Sequence, residues 1–152
     1  MCRLYEKFIL EFYRKEVPWL KAKSSKIDWQ LSGEMSSLLP MMHSDVMLIC
    51  GEKTLIIDAK YYSRSTLVQY GKHILHPQNV YQIFAYVMNQ DVGNTGNLAG
   101  MLLYAKTDED ITPDAEQNIM GHKISAKTLD LNCEFSEIAK QLKNIAEEYF
   151  CM

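Results

Sequence analysis

The sequence predicts an α/β fold in which a mixed β-sheet is flanked by helices. Two observations carry this prediction. Apolar residues recur at helical spacing in three stretches of the chain, and runs of β-branched and long aliphatic residues bounded by turn residues lie between those stretches. The predicted order is one helix, three strands, a second helix and a strand, followed by a last strand and a last helix.

Composition sets the broad class. Of 152 residues, 47% are hydrophobic and 23% are charged, which is typical of a single globular domain spanning residues 1–152. The four cysteines are scattered without metal-ligand spacing, so neither a zinc site nor a disulfide framework is indicated. No apolar stretch approaches about 18 residues and no cleavable leader is evident. A reduced, cytoplasmic location is therefore expected.

The first predicted helix covers 4–13, where apolar residues form one face, and it ends before Pro18. A loop is predicted over the Lys/Ser-rich residues 21–26. Alternation of apolar and polar residues then predicts a half-buried strand over 27–31.

A hairpin is predicted over residues 46–57, where two apolar runs are separated by Gly51-Glu52. A Gly-X step suits a two-residue turn with Gly in the first central position. With that turn Cys50 faces Lys53, and stepping outward along both strands places Asp45 opposite Asp58.

Two ionised carboxylates at this pairing distance, about 5 Å, repel by roughly 3 kcal/mol at an effective dielectric of about 20. One carboxyl is therefore protonated, or the register differs, or a cation lies between them; hard divalent cations prefer such oxygen ligands. Strand alternation places Lys60 on the same face as Asp58. These three side chains are suited to metal-assisted phosphodiester hydrolysis. The alternative, that Asp58 and Lys60 are solvated residues at a strand end, stays open.

After a polar connection over 61–73, a second helix is predicted over 77–89, with Pro77 as its first residue. Gln78, Gln82 and Tyr86 fall at i, i+4 and i+8 and form a polar line on this helix. They are either ordinary surface residues or side chains that contact a phosphate and orient the lysine. The helix's predicted apolar stripe consists of Val80, Tyr81, Phe84, Val87 and Met88.

The remaining chain is predicted as a strand over 98–105, an acidic irregular segment over 107–121, a strand over 123–131 and a helix over 137–150. That helix is expected to bury Ile138, Leu142, Ile145 and Tyr149.

Charge is unevenly distributed: residues 1–76 carry 11 Lys/Arg against 8 Asp/Glu, whereas residues 77–152 carry 5 against 11. The half that contains the hairpin is the basic one, although the net charge of the chain is -3.

The order of these motifs resembles the PD-(D/E)XK nuclease superfamily. Ser44-Asp45, Asp58-Ala59-Lys60 and a Q-x-x-x-Y motif at Gln82 to Tyr86 match its RecB-like members, and its αβββαβ restriction-endonuclease-like core matches the predicted elements. The phrases LYEKFILEFY, LIIDAKYY, HPQNVYQIFAY and TLDL are similar to the C-terminal nuclease domain of McrC, the cleavage subunit of 5-methylcytosine-dependent McrBC restriction systems.

The resemblance implies roles for individual residues. Asp45 and Asp58 would bind Mg, for which Mn could substitute, with the Ala59 carbonyl as a further ligand. Lys60 would be the catalytic lysine. The superfamily's usual proline before the first aspartate is Ser44 here. The supporting and DNA-binding residues would be Gln78, Gln82 and Tyr86, and Glu6 on the first helix would be an additional candidate ligand, although spacing alone favours an exposed helix carboxylate.

The resemblance also implies a function: a Mg-dependent DNA endonuclease domain of a bacterial or archaeal restriction system, working with an AAA+ GTPase partner of the McrB kind. McrC proteins carry an N-terminal region that engages this partner, and no part of these residues corresponds to it. Both an excised domain and a stand-alone relative fit the sequence. The alternatives are a stand-alone RecB-like nuclease acting on DNA and a catalytically silent interaction module with the nuclease fold.

Overall fold

The computed structural model describes residues 2–62, 65–106 and 112–151. It confirms the predicted α/β class, with a six-stranded mixed sheet between helices. The helices are α1 (Cys2–Glu16), α2 (Pro77–Gln90) and α3 (Phe135–Phe150). The strands are β1 (Lys21–Lys23), β2 (Lys26–Ile27), β3 (Met42–His43), β4 (Val46–Cys50), β5 (Lys53–Lys60), β6 (Thr66–Gln69), β7 (Lys72–Leu75), β8 (Leu98–Ala105), β9 (Ala115–Ile119) and β10 (His122–Leu129).

The large sheet has the strand order β1-β4-β5-β8-β10-β9. Strand β4 is antiparallel to both β1 and β5. Strands β5, β8 and β10 run parallel to one another, and β9 closes the far edge antiparallel to β10. In chain order α1, β1, β4, β5, α2 and β8 form the predicted αβββαβ core. The other four strands form two small sheets, β2-β3 and β6-β7.

Strand alternation gives the sheet two apolar faces, because successive side chains of β4 and β5 point to opposite sides. One face packs against α1 and α3 through residues such as Ile9, Tyr13 and Leu142. The other face packs against α2, through Ile83 and Val87. At Gly100 of β8 an added Cβ would lie 2.7 Å from side-chain atoms of Ile83 and Val87, so glycine lets α2 lie directly on the strand. None of the helices in the described part of the chain is long and apolar enough to cross a membrane.

The central hairpin is formed as predicted. Cys50 pairs with Lys53 and Val46 pairs with Ile57, and Gly51 has the positive φ, 60°, that its turn position requires. The strand predicted over 98–105 is β8.

The prediction of the first strand was wrong. The sheet takes its edge strand from Lys21–Lys23, predicted as a loop. Of the strand predicted over 27–31, only Ile27 is paired, in β2. Backbone pairing with β4 forms this edge, although Ala22 is its one apolar residue. The alternating residues that follow serve other contacts: Trp29 donates a hydrogen bond to the Pro40 carbonyl, and the Gln30 side chain donates to carbonyls at the end of α2.

Two predicted irregular segments also contain strands. The connection over 61–73 includes part of the β6-β7 hairpin, whose turn residues Tyr70 and Gly71 both have positive φ, as a two-residue turn of this type requires. The acidic segment over 107–121 contains β9, while 107–111 lie outside the described residues. Strand β10 ends at Leu129, two residues before the predicted end.

The predicted buried face of α2 was also wrong in part. Tyr81 is 71% exposed. The buried residues of α2 are Asn79, Ile83, Tyr86 and Val87. Asn79 is buried because its side chain hydrogen-bonds with the hydroxyls of Tyr62 and Tyr104. In α3, Ile138 and Leu142 are buried as predicted, and Ala146 completes the buried set, whereas Ile145 and Tyr149 are only partly covered.

Candidate active site

Asp45 lies where β4 separates from the sheet. The ladder between β4 and β5 begins at Val46, and Asp45 is the next residue outward, opposite Asp58 in the same register. Ser44 turns away: its N–H and hydroxyl donate to the Ser25 carbonyl, at 2.8 and 3.0 Å, and its hydroxyl accepts from the Ser25 N–H. The Ala59 N–H of β5 is thereby left to the Asp45 carboxylate, which accepts it at 2.9 Å.

Asp58 is 4% exposed, near the carboxyl end of β5 and between β4 and β8. Its Oδ2 is buried and accepts no aligned hydrogen bond from any described residue. The same atom lies 3.0 Å from Lys60 Nζ, so Asp58 and Lys60 form an ion pair without hydrogen-bond alignment. A buried carboxylate oxygen in this condition retains coordinating capacity.

Lys60 is held from the other side by α2. Its ammonium donates to Gln82 Oε1 at 2.9 Å, and Gln82 Nε2 donates to the Tyr86 hydroxyl at 2.8 Å. Burial by itself lowers the pKa of Lys60, but the charge of Asp58, 3.0 Å away, outweighs it, and the pKa is raised. Lys60 is therefore a cation at neutral pH. Gln78, one turn earlier on α2, is exposed, and no described contact joins it to this cluster.

Glu6 of α1 reaches the same cluster. It is half-buried and hydrogen-bonds with the Asp45 carboxyl. Burial, together with the neighbouring Glu6 and Asp58, raises the pKa of Asp45 to about 9. The exposed-carboxylate interpretation of Glu6 was therefore wrong. Without a cation, the carboxyl repulsion anticipated from the hairpin register is relieved by a proton on Asp45.

The donor set suits a hard divalent cation. In a strand, the N–H and C=O of one residue point to the same side, so the Ala59 carbonyl points to the side on which its N–H meets Asp45. Two carboxylates and a carbonyl are oxygen ligands of the kind that Mg combines with water. Across the described residues, no group of three or more His, Cys, Asp or Glu side chains is arranged to hold a metal. Glu6 therefore contacts Asp45 without completing a three-carboxylate cage.

A groove of about 590 Å³ opens beside this cluster, and most of its lining was not predicted from the sequence. Asp45 and Glu6 lie in its wall together with Arg3, Lys7 and His43. The ring Nδ1 of His43 is 3.0 Å from the Ser44 carbonyl oxygen and 3.3 Å from Ser24 Oγ. The sequence signal that could have indicated His43 is its position two residues before Asp45. In a strand, residues two apart have side chains on the same face.

Comparison with known proteins identifies the family. Residues 1–105 match the model for McrBC, described as a 5-methylcytosine restriction system component. The chain belongs to this family. It is also 33% identical, over 152 residues, to "Type IV methyl-directed restriction enzyme EcoKMcrBC" of Escherichia coli (strain K12).

That alignment covers 98% of this chain but 43% of the relative, so the chain spans less than half the length of the protein it matches. The resemblance to the McrC nuclease domain is confirmed at the level of the family. The matched residues 1–105 include the whole cluster from Glu6 to Tyr86.

Proposed function

We propose that this chain is the DNA-cleaving component of a 5-methylcytosine-dependent restriction system and that it hydrolyses phosphodiester bonds with a divalent metal. The observation that carries the proposal is the facing pair of the half-buried Asp45 and the buried Asp58, with Lys60 held 3.0 Å from Asp58. Such a charged cluster costs stability unless it serves a ligand. Membership of the McrBC family and the name of the E. coli relative support the same function.

Asp45, Asp58 and the Ala59 carbonyl would hold the metal, with Mg as the natural ion and Mn as a substitute. When bound, the ion would polarise the phosphate and lower the pKa of a coordinated water. Glu6, which touches Asp45, is placed to orient solvent at this position.

Lys60 has a more restricted role than its sequence position suggested. A lysine at this site could either deprotonate a water or stabilise developing negative charge. Its ammonium lies between two acceptors, Asp58 Oδ2 at 3.0 Å and Gln82 Oε1 at 2.9 Å, an arrangement that suits a charged lysine better than a base. We assign it charge stabilisation at the phosphate, with Gln82 fixing its direction and Tyr86 fixing Gln82.

Recognition of the modified base is assigned to a partner. A net charge of -3 gives this chain little electrostatic affinity for DNA, because phosphate neutralisation supplies most non-specific binding. We infer an AAA+ GTPase of the McrB kind that binds the modified site and delivers DNA to the carboxylates. Family membership favours this assignment over a stand-alone RecB-like nuclease. A silent module would have no use for the costly charged cluster.

A plasmid-nicking assay with Mg tests the cleavage directly. The wild-type chain is expected to nick supercoiled plasmid weakly and to lose all activity in EDTA, whereas Asp58→Asn is expected to be inactive with Mg. Asp28→Asn is the matched control, since it makes the same chemical change at a side chain that is 89% exposed. Nicking by Asp58→Asn at the wild-type rate would contradict the assignment.

The same assay tests whether recognition of the modified base requires the partner. The isolated chain should nick methylated and unmethylated plasmid equally, and its activity should fall steeply with salt. Dependence on methylation should appear when the GTPase partner and the family's N-terminal region are supplied. Tight, methylation-selective binding by this chain alone would show instead that it recognises its own target.

A further inference from the structure

The groove of about 590 Å³ beside the carboxylates follows the surface of α1. Its α1 wall carries Arg3, Lys7 and Arg14, and the opposite wall includes Ser24 and His43. Asp45 lies in the lining, so the groove leads directly to the candidate active site. An open, largely polar channel of this kind fits an extended, charged chain better than an apolar ligand.

The cations of the groove are not equivalent. Arg14 is committed to the protein: it pairs with Glu11 at 2.8 Å and donates to the Ala22 carbonyl at 3.2 Å. Arg3 and Lys7 are exposed, and no described residue forms a hydrogen bond or an ion pair with either of them. Two cationic side chains on the groove wall are thus free to bind an external anion.

Their positions relate them to the active site. Residues 3, 6 and 7 occupy one side of a helix, because residues three and four apart are neighbours on its surface. Arg3 and Lys7 therefore flank Glu6, which hydrogen-bonds with Asp45. A polyanion that approached this acidic cluster unaided would be repelled, and two adjacent cations reduce that repulsion.

We propose that Arg3 and Lys7 bind two nearby phosphates of the DNA strand that is cut, and that the groove along α1 is the path of that strand. The proposal rests on the nuclease function proposed above and adds the residues that hold the substrate. Four helical residues rise by about 6 Å. Phosphates of one DNA strand are about 3.4 Å apart along the duplex axis. The separation of the two side chains along α1 therefore corresponds to about two phosphate steps, close to the scissile phosphate.

The test measures the salt dependence of DNA binding. A fluorescein-labelled duplex is titrated in EDTA with the 152-residue chain carrying Asp58→Asn, with and without Arg3→Gln and Lys7→Gln. The slope of log K against log salt is negative, and each lost phosphate contact reduces its magnitude by about 0.9. We expect the double substitution to reduce the magnitude of the slope by about 2. Lys140→Gln with Lys143→Gln on α3 is the control, since it removes the same charge from exposed helical positions and should leave the slope unchanged.

A second measurement separates contact from folding. In the chain that keeps Asp58, Arg3→Gln with Lys7→Gln should raise KM several-fold and leave kcat unchanged. Phosphate contacts away from the reacting atoms stabilise the ground state and the transition state equally. Exchanging the two residues, as Arg3→Lys with Lys7→Arg, should restore the slope and KM. An unchanged slope in the Gln variant, or an equal fall in the α3 control, overturns the proposal.

The two proposals can fail separately. If the wild-type chain nicks plasmid but the Gln variant keeps the full salt slope, the strand path is wrong and the nuclease function stands. If the magnitude of the slope falls by about 2 but the wild-type chain never nicks DNA, the groove binds phosphates and the nuclease function is wrong.

Discussion

Two aspartates at opposite ends of the parallel strands, the buried Asp91 and the half-buried Asp45, lie in contrasting environments. Asp91, in the loop before β8, accepts four hydrogen bonds: Thr95 N–H and hydroxyl bind one oxygen, while Gly96 N–H and His122 Nε2 bind the other, all at 2.8–3.0 Å. Burial alone would raise the pKa of Asp91, but the hydrogen bonds from His122, Thr95 and Gly96 lower it to about 2. Each oxygen of the Asp91 carboxylate therefore has two hydrogen-bond donors.

Asp45 is the opposite case. It accepts the single N–H of Ala59 and faces two other carboxyls, and its pKa is raised to about 9. The fold therefore supplies four donors to an aspartate at one end of the sheet and one backbone donor to an aspartate at the other. Burial alone does not mark this difference, because Asp58 beside Asp45 is as buried as Asp91, with 4% of each exposed. The number of donors marks it, since a carboxyl with few donors keeps oxygen atoms for a ligand.

The largest expected effect concerns Lys60. Lys60→Met keeps the unbranched stem but removes the charge, so turnover should fall by about 10²–10³-fold, the range for losing one donor that stabilises developing charge. Lys106→Met is the matched control: Lys106 follows β8 and pairs with Asp130 at 3.9 Å on the surface. Single-turnover nicking rates measure both. Normal cleavage by Lys60→Met would mean that Asp58 and Lys60 are merely the polar end of a strand.

The next effect is on stability. Asp91→Asn should lower the free energy of unfolding by about 3 kcal/mol or more, because an amide cannot accept from all the donors around Asp91 and leaves a buried partner unpaired. Asp45→Asn should change it by no more than about 1 kcal/mol, since metal-free Asp45 is already neutral and the Asn carbonyl can still accept from Ala59 N–H. Urea unfolding in EDTA compares the two. Equal losses would remove the distinction between a satisfied and an incomplete site.

A smaller effect is the pH dependence of the Asp91 contribution. Its folded-state pKa of about 2 lies below the ordinary 3.8, so ionised Asp91 stabilises the fold above the ordinary value and this contribution is lost as the pH falls through the folded value. The stability difference between wild type and Asp91→Asn should thus be constant near neutral pH and shrink as the pH falls from about 4 to about 2. A stability difference that stays constant over this acid range would contradict the stabilising role assigned to ionised Asp91.

The turn and register of the central hairpin, and the facing of Asp45 and Asp58, could be predicted from the sequence. Gly51-Glu52 between two apolar runs fixes the turn, the turn fixes the register, and the register brings Asp45 opposite Asp58. Helical spacing likewise predicted that Gln82 and Tyr86 share a line, although only the structure shows that this line faces Lys60.

Other features carried weak or misleading local signals. Strand β1 is held by backbone pairing at a sheet edge, and Lys21-Ala22-Lys23 has no apolar alternation to indicate it. The apolar and polar alternation around Trp29 serves side-chain hydrogen bonds to distant segments. The Tyr70-Gly71 turn, in contrast, was a usable hairpin signal that was missed. The free cations Arg3 and Lys7 could not be distinguished from ordinary helix surface until the groove was seen.

The central claim is that Asp45 and Asp58 form an incomplete site that a divalent cation completes. Calcium, which binds without supporting rapid turnover in a Mg site, is titrated into the metal-free chain while the melting temperature is recorded. A cation that binds only the folded state adds about 2.7 kcal/mol of stability at 100 times its Kd. We predict a saturable rise in Tm for the wild type and for Asp28→Asn and none for Asp45→Asn. An equal rise in all three proteins, or none in the wild type, would contradict the account.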